Sequence, residues 1–147
     1  MTDVTVETGD DLVAVVELHR PPENYFDAVL VEALAGAYER LDGDDACRAI
    51  VLCSEGRHFC AGARLGGGGV DETARLYAAA VRMFAAQTPV VAAVQGAAVG
   101  GGLGLALSAD FRVAAPESRF SANFSRLGFH HGFGMTVTLP AVAGGQA

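Results

Sequence analysis

Thr88-Pro89-Val90-Val91-Ala92-Ala93-Val94-Gln95-Gly96-Ala97-Ala98-Val99-Gly100-Gly101-Gly102-Leu103-Gly104-Leu105-Ala106-Leu107-Ser108-Ala109-Asp110 reads as a short buried strand, a turn, a triple glycine and the start of a helix. Pro89 closes what precedes it. Val90 to Val94 is an apolar, β-branched run of strand length. Gly100 to Gly102 carry no Cβ, so the backbone can approach a ligand closely there. A helix that starts at this point leaves its first N–H groups unpaired and its positive end exposed. That arrangement suits an anion, or an oxygen that becomes one during a reaction. The ordinary alternative is that small residues let a helix pack tightly on a strand.

Working outward, two phosphate-binding readings fail. Gly102-Leu103-Gly104 gives G-x-G, but the third glycine of a dinucleotide fingerprint is missing and no acidic residue follows at about twenty positions. A phosphate loop needs a lysine, and the chain has none. The 147 residues fit one domain. No run is apolar and long enough to cross a membrane, so no membrane association is expected. The polar, acidic stretch Met1–Asp11 is unlike a signal peptide. Three cysteines, Cys47, Cys53 and Cys60, form no CxxC pair, which points to a reduced, cytoplasmic setting without a metal site. Residues 1–72 carry 15 acids against 5 arginines, whereas residues 73–147 carry 2 against 5. An acidic chain without a basic run is a poor partner for nucleic acid.

In chain order, Val4–Thr8 and Leu12–Leu18 around Gly9-Asp10-Asp11 predict a β-hairpin. Arg20-Pro21-Pro22-Glu23-Asn24 breaks the strand. Asp27 is placed to cap a helix, with Phe26 before it. Leu30, Leu34, Ala37 and Leu41 share a helical face, and Gly43 ends it. Cys47–Cys53 predicts a strand. A glycine-rich loop follows through Gly66–Gly69, then a helix over 71–87 with Leu76, Ala80 and Met83 on one face. Phe111–Ala114 reads as a strand, Leu127–Gly134 as a second glycine-spaced loop, and Thr136–Ala143 as a helix start.

Three stretches in this order resemble the enoyl-CoA hydratase/isomerase (crotonase) superfamily: Gly56-x-x-Phe59-x-Ala61-Gly62-Ala63; Thr88 to Gly96 running into Gly100-Gly101-Gly102-Leu103; and Asp110 to Ala114 followed by Leu127-Gly128 and Gly132. The resemblance implies an α/β fold, a spiral of repeated β-β-α units, with 1–147 as one core domain and the family's C-terminal helical region largely missing. It implies an acyl-CoA thioester as substrate, with coenzyme A part of that substrate rather than a cofactor, and a homotrimer or dimer of trimers where the full C-terminal region is present. By position, the backbone N–H groups of Ala63 and Gly101 would form an oxyanion hole that stabilises an enolate. Ala61, Arg64, Leu65 and Gly66 would line the coenzyme A path.

The chain departs from this pattern where hydratases carry two glutamates. Those positions are Gly104 and Phe124 here, and neither side chain can move a proton. A positioned acid or base is worth about 10²–10⁴ in rate. Expected activity is therefore that of the family on a thioester, with hydration itself very slow. A non-catalytic acyl-CoA binder and a thioester decarboxylase or hydrolase are the alternatives. His130 is the candidate substitute acid or base, because imidazole titrates near neutrality. The ordinary reading of His130 and His131 is loop hydrogen bonding. Ser121 and Asn123 are candidates to orient water or a carboxylate. His58 and Cys60 invite a thiol nucleophile, but their i, i+2 spacing points them apart.

Overall fold

The computed structural model describes residues 2–64 and 69–145. The first seven elements are β1 (Val4–Thr8), β2 (Val13–Leu18), α1 (Ala28–Asp42), β3 (Ala49–Ser54), α2 (Val70–Phe84), β4 (Val90–Val94) and β5 (Ala97–Val99). They are followed by α3 (Gly101–Leu107), β6 (Phe111–Ala114), β7 (Arg119–Ser121), a 3-10 helix at Asn123–Leu127, and α4 (Met135–Ala143). One sheet has the order β1-β2-β3-β4-β6, antiparallel between β1 and β2 and parallel beyond. The second has β5 beside β7 in parallel, and single bridges join Cys60 to Ala98 and Phe26 to Ala63. The chain thus winds as a spiral of β-β-α turns, the α/β architecture expected.

Alternation decides which sheet face is buried. Ala14, Val16 and Leu18 of β2, Ile50 and Leu52 of β3, and Val90, Ala92 and Val94 of β4 lie on one face and enter the core with Leu30, Val31, Leu34 and Tyr38 of α1. The other face stays partly open at Val15, Phe111 and Val113. α1 begins where Asp27 accepts the Leu30 N–H at 3.0 Å, so the cap read from the sequence is present.

Besides β2, which starts at Val13 rather than Leu12, the elements differ from the sequence reading in four places. β3 starts at Ala49 rather than Cys47, because Cys47 N–H still closes a turn onto the Asp44 carbonyl at 2.9 Å. α2 spans Val70–Phe84 rather than 71–87. The Asp42 carboxylate takes the Gln87 and Thr88 N–H groups at 2.9 and 2.8 Å and draws that segment out of the helix. The stretch expected as a turn before the triple glycine contains β5, three residues too short and too small to announce themselves as a strand. α4 begins at Met135, one residue early, after Gly134 at φ +73°. No helix among the described residues is long and apolar enough to cross a membrane.

Candidate active site

The loop after β3 is held by polar groups that the sequence does not single out. Asn24 is fully buried; its Nδ2 donates to the Glu55 and His58 carbonyls at 2.9 and 2.7 Å, and its Oδ1 accepts the Arg20 N–H at 2.9 Å. Ser54 Oγ donates to the Phe59 carbonyl at 2.7 Å. Beyond this anchor the chain pairs with β5 on one side, Cys60 N–H to Ala97 carbonyl at 2.9 Å and Val99 N–H to Cys60 carbonyl at 3.1 Å. On the other side, Phe26 N–H donates to Gly62 at 3.1 Å and Arg64 N–H to Phe26 at 2.9 Å. That alternation turns the Ala63 N–H away from Phe26.

Ala63 and Gly101 come together here. The direction of a Cβ on Gly101 ends 3.6 Å from the Ala63 nitrogen, and that of a Cβ on Gly62 ends 4.0 Å from the Gly101 nitrogen. Neither N–H has an acceptor among the described residues. Gly100, at φ +56°, holds the turn into α3 with its N–H on the Ser121 carbonyl at 2.8 Å. Any side chain on Gly102 would run into the Cys60 carbonyl, and one on Gly101 would stand 2.5 Å from Phe26 Cζ. The small residues therefore serve tight packing and leave a bare pair of donors at the same time.

Ala63 and Gly101 both line a cavity of about 710 Å³, together with Ala61, Arg64 and Gly100, with apolar or aromatic walls from Phe26, Leu76, Tyr77, Phe124, Phe129 and Phe133. Ala61 is half-buried, its N–H on the Glu23 carbonyl at 2.9 Å, and Arg64 is exposed. Leu65 and Gly66 lie outside the described residues. Gly104 is buried in α3 and faces Phe133, not open space: a Cβ there would stand 2.7 Å from Phe133 Cβ. Phe124 packs against Leu103, Leu107 and Met135.

Polar side chains on the wall include Asp27, Arg64, Glu72, Thr73, Tyr77, Asn123 and His130. Burial pushes the Asp27 carboxyl up, but the Arg20 guanidinium and the Leu30 N–H together hold it below the usual carboxylate range. Its ion pair with Arg20, at 2.8 Å, commits it to structure. Glu72 is half-buried in the first turn of α2. Asn123 touches the cavity with its Oδ1 3.0 Å from where a Cβ on Gly100 would be. His130 also lines it, with Nδ1 2.7 Å from the His131 carbonyl. A carbonyl only accepts, so a neutral His130 carries its proton on Nδ1 and keeps a lone pair on Nε2. The His131 ring stacks on it at 4.2 Å, and His131 Nε2 lies 3.0 Å from Thr136 Oγ1.

The thiol reading falls. His58 Nδ1 accepts the Ala97 N–H at 3.2 Å, and Cys60 is fully buried with its thiol pushed up to about 12 by burial. Two contributors escaped the sequence reading. Asn24 gave only a polar residue after two prolines. Phe133 had one signal, the flanking Gly132 and Gly134, which mark a residue inserted where its neighbours have no room for side chains.

The sequence model of the enoyl-CoA hydratase/isomerase family matches residues 8–147. The chain belongs to this family. A probable enoyl-CoA hydratase of Mycobacterium tuberculosis is 39% identical over 152 residues, covering 98% of this chain and 59% of that protein. The 1,2-epoxyphenylacetyl-CoA isomerase of Escherichia coli is 37% identical over 151 residues, covering 95% and 56%. The crystal structure of an enoyl-CoA hydratase subunit from Geobacillus kaustophilus superposes with a TM-score of 0.90 at 32% identity, covering 99% of this chain and 58% of that one. The chain spans about three fifths of the length of such relatives. Its spiral is accordingly the crotonase-like fold.

Proposed function

We propose that this chain binds an acyl-CoA thioester with the thioester oxygen between the backbone N–H groups of Ala63 and Gly101. The observation that carries this is that Ala63 and Gly101, whose N–H groups have no acceptor among the described residues, lie side by side on one cavity. Donors fixed in place before the reaction stabilise an oxygen as it gains charge, and losing one such donor costs about 3–4 kcal/mol. Ala61, Arg64, Leu65 and Gly66 line the coenzyme A path in this reading. With Gly104 and Phe124 at the two glutamate positions, His130 Nε2 is the proton acceptor, its tautomer held by the His131 carbonyl. The reaction is enolate formation and proton exchange on the thioester, with hydration slow. Free Cys47, Cys53 and Cys60 agree with a cytoplasmic setting, and the family relationship with a homotrimer.

The test is a mass spectrum of crotonyl-CoA and butyryl-CoA after incubation with the protein in heavy water. Enolisation adds deuterium and hydration adds a water, so one spectrum separates them. Deuterium without added water is the expected result. A second reading, a protein that holds the thioester without turnover or passes it on, is favoured by one specific observation: Gly104 is covered by Phe133 and leaves no space for an acid. Binding with no mass change would support that reading. Absence of any thioester binding would sink both.

A further inference from the structure

We propose that Phe133 is the specificity-determining residue of this cavity: it closes the acyl side over Gly104 and confines the site to thioesters of apolar acyl groups of limited length. The inference rests on the reading that the thioester docks at Ala63 and Gly101. Phe133 is a bulky residue at φ +53°, a conformation that surroundings must enforce. The enforcement is visible. A side chain on Gly132 would run into Tyr77 Oη, and one on Gly134 would stand 2.9 Å from Phe84 Cζ. The loop is therefore seated against α2 only because both neighbours of Phe133 are glycine.

Seated this way, the Phe133 ring lies between two others, with centroids 5.3 Å from Phe26 and 6.0 Å from Phe84. Phe26 Cζ in turn reaches to 2.5 Å from the Cβ direction of Gly101. A series of contacting phenyl rings thus runs from Gly101 to α2, with Phe26 and Phe133 on the cavity and Phe84 behind them, and Phe133 only 3% exposed at its centre. The phenyl rings carry no polar atom of their own, so a hydroxyl or carboxylate on the part of the acyl chain that meets them would be buried unpaired. An alkyl chain gains about fourfold in affinity for each buried methylene until it meets the phenyl ring.

The test is calorimetric titration of wild type, Phe133→Leu and Phe133→Ala with free coenzyme A and with even-numbered saturated acyl-CoAs from acetyl to dodecanoyl. In wild type the affinity climbs with chain length and then levels off. Removing the ring frees space for roughly two more methylenes, so the ratio of the long-chain to the acetyl-CoA affinity rises about fifteenfold in Phe133→Ala, with Phe133→Leu between. Phe133→Leu keeps most of the packing and decides the matter if Phe133→Ala does not fold. Parallel length profiles in folded variants would overturn the proposal, because Phe133 would then be core filler. So would an unbroken climb to dodecanoyl-CoA in wild type. In both cases thioester binding itself survives, whereas no binding of any thioester overturns the docking reading as well.

Discussion

Gly104→Ala places a single methyl group where the structure gives two opposed answers. On a free helix this change stabilises by about 1 kcal/mol, because alanine orders more cheaply than glycine. In α3 the added Cβ would stand 2.7 Å from Phe133 Cβ and 3.2 Å from both Phe133 Cγ and the Phe133 carbonyl oxygen. These are not the ends of flexible side chains. Phe133 cannot withdraw easily, because Gly132 and Gly134 are pressed on Tyr77 and Phe84. A forced contact of this kind costs about 1–3 kcal/mol. With the backbone clamped, the upper part of that range applies, and the net loss is about 1–2 kcal/mol. At about 4 °C per kcal/mol for a domain of this size, Tm falls by roughly 4–8 °C. Calorimetric melts of wild type, Gly104→Ala, Phe133→Gly and the double variant complete the cycle. In Phe133→Gly the opposing Cβ is gone and the backbone tolerates φ +53°, so the same methyl costs close to nothing, and the coupling exceeds about 1 kcal/mol. A rise in Tm for Gly104→Ala in the wild-type background, or equal shifts in both backgrounds, would refute the packing argument.

Three other outcomes follow from the same geometry. Asp27→Asn keeps a capping oxygen but loses the charge on Arg20, so at pH 7 it should lower stability by about 1 kcal/mol. Because the folded carboxyl titrates below its unfolded value of about 3.9, that contribution is present above this pH and disappears as the pH falls through the folded pKa. Urea titrations from pH 7 down through the acid range check it, and a gap that does not narrow as the pH falls contradicts it. Cys60, buried with its thiol raised to about 12, should escape iodoacetamide at pH 8 in the native protein and react only after unfolding, as peptide mass mapping would record. His130→Ala should abolish deuterium exchange into a bound thioester while changing its affinity less than threefold, and retention of exchange in that variant removes His130 from the chemistry.

Much of this protein is legible before folding because the information is local. The period of two in Val13–Leu18, Ala49–Ser54 and Val90–Val94, the Asp27 cap and the Gly100–Gly102 turn all act within a few residues of where they are written. The ordered appearance of the three glycine-bearing stretches carried the family and the pairing of Ala63 with Gly101. Tertiary structure alone decided what fills the space around that pair. Gly104 is silent in sequence about whether it faces a ligand or a wall, since the answer is a Phe133 side chain 29 positions away. The α2 terminus was set by the Asp42 carboxylate of a different helix, and Asn24 gained its meaning from carbonyls brought to it across the fold. A side chain's neighbours along the chain are set by its sequence, but its neighbours in space depend on how every other segment has packed.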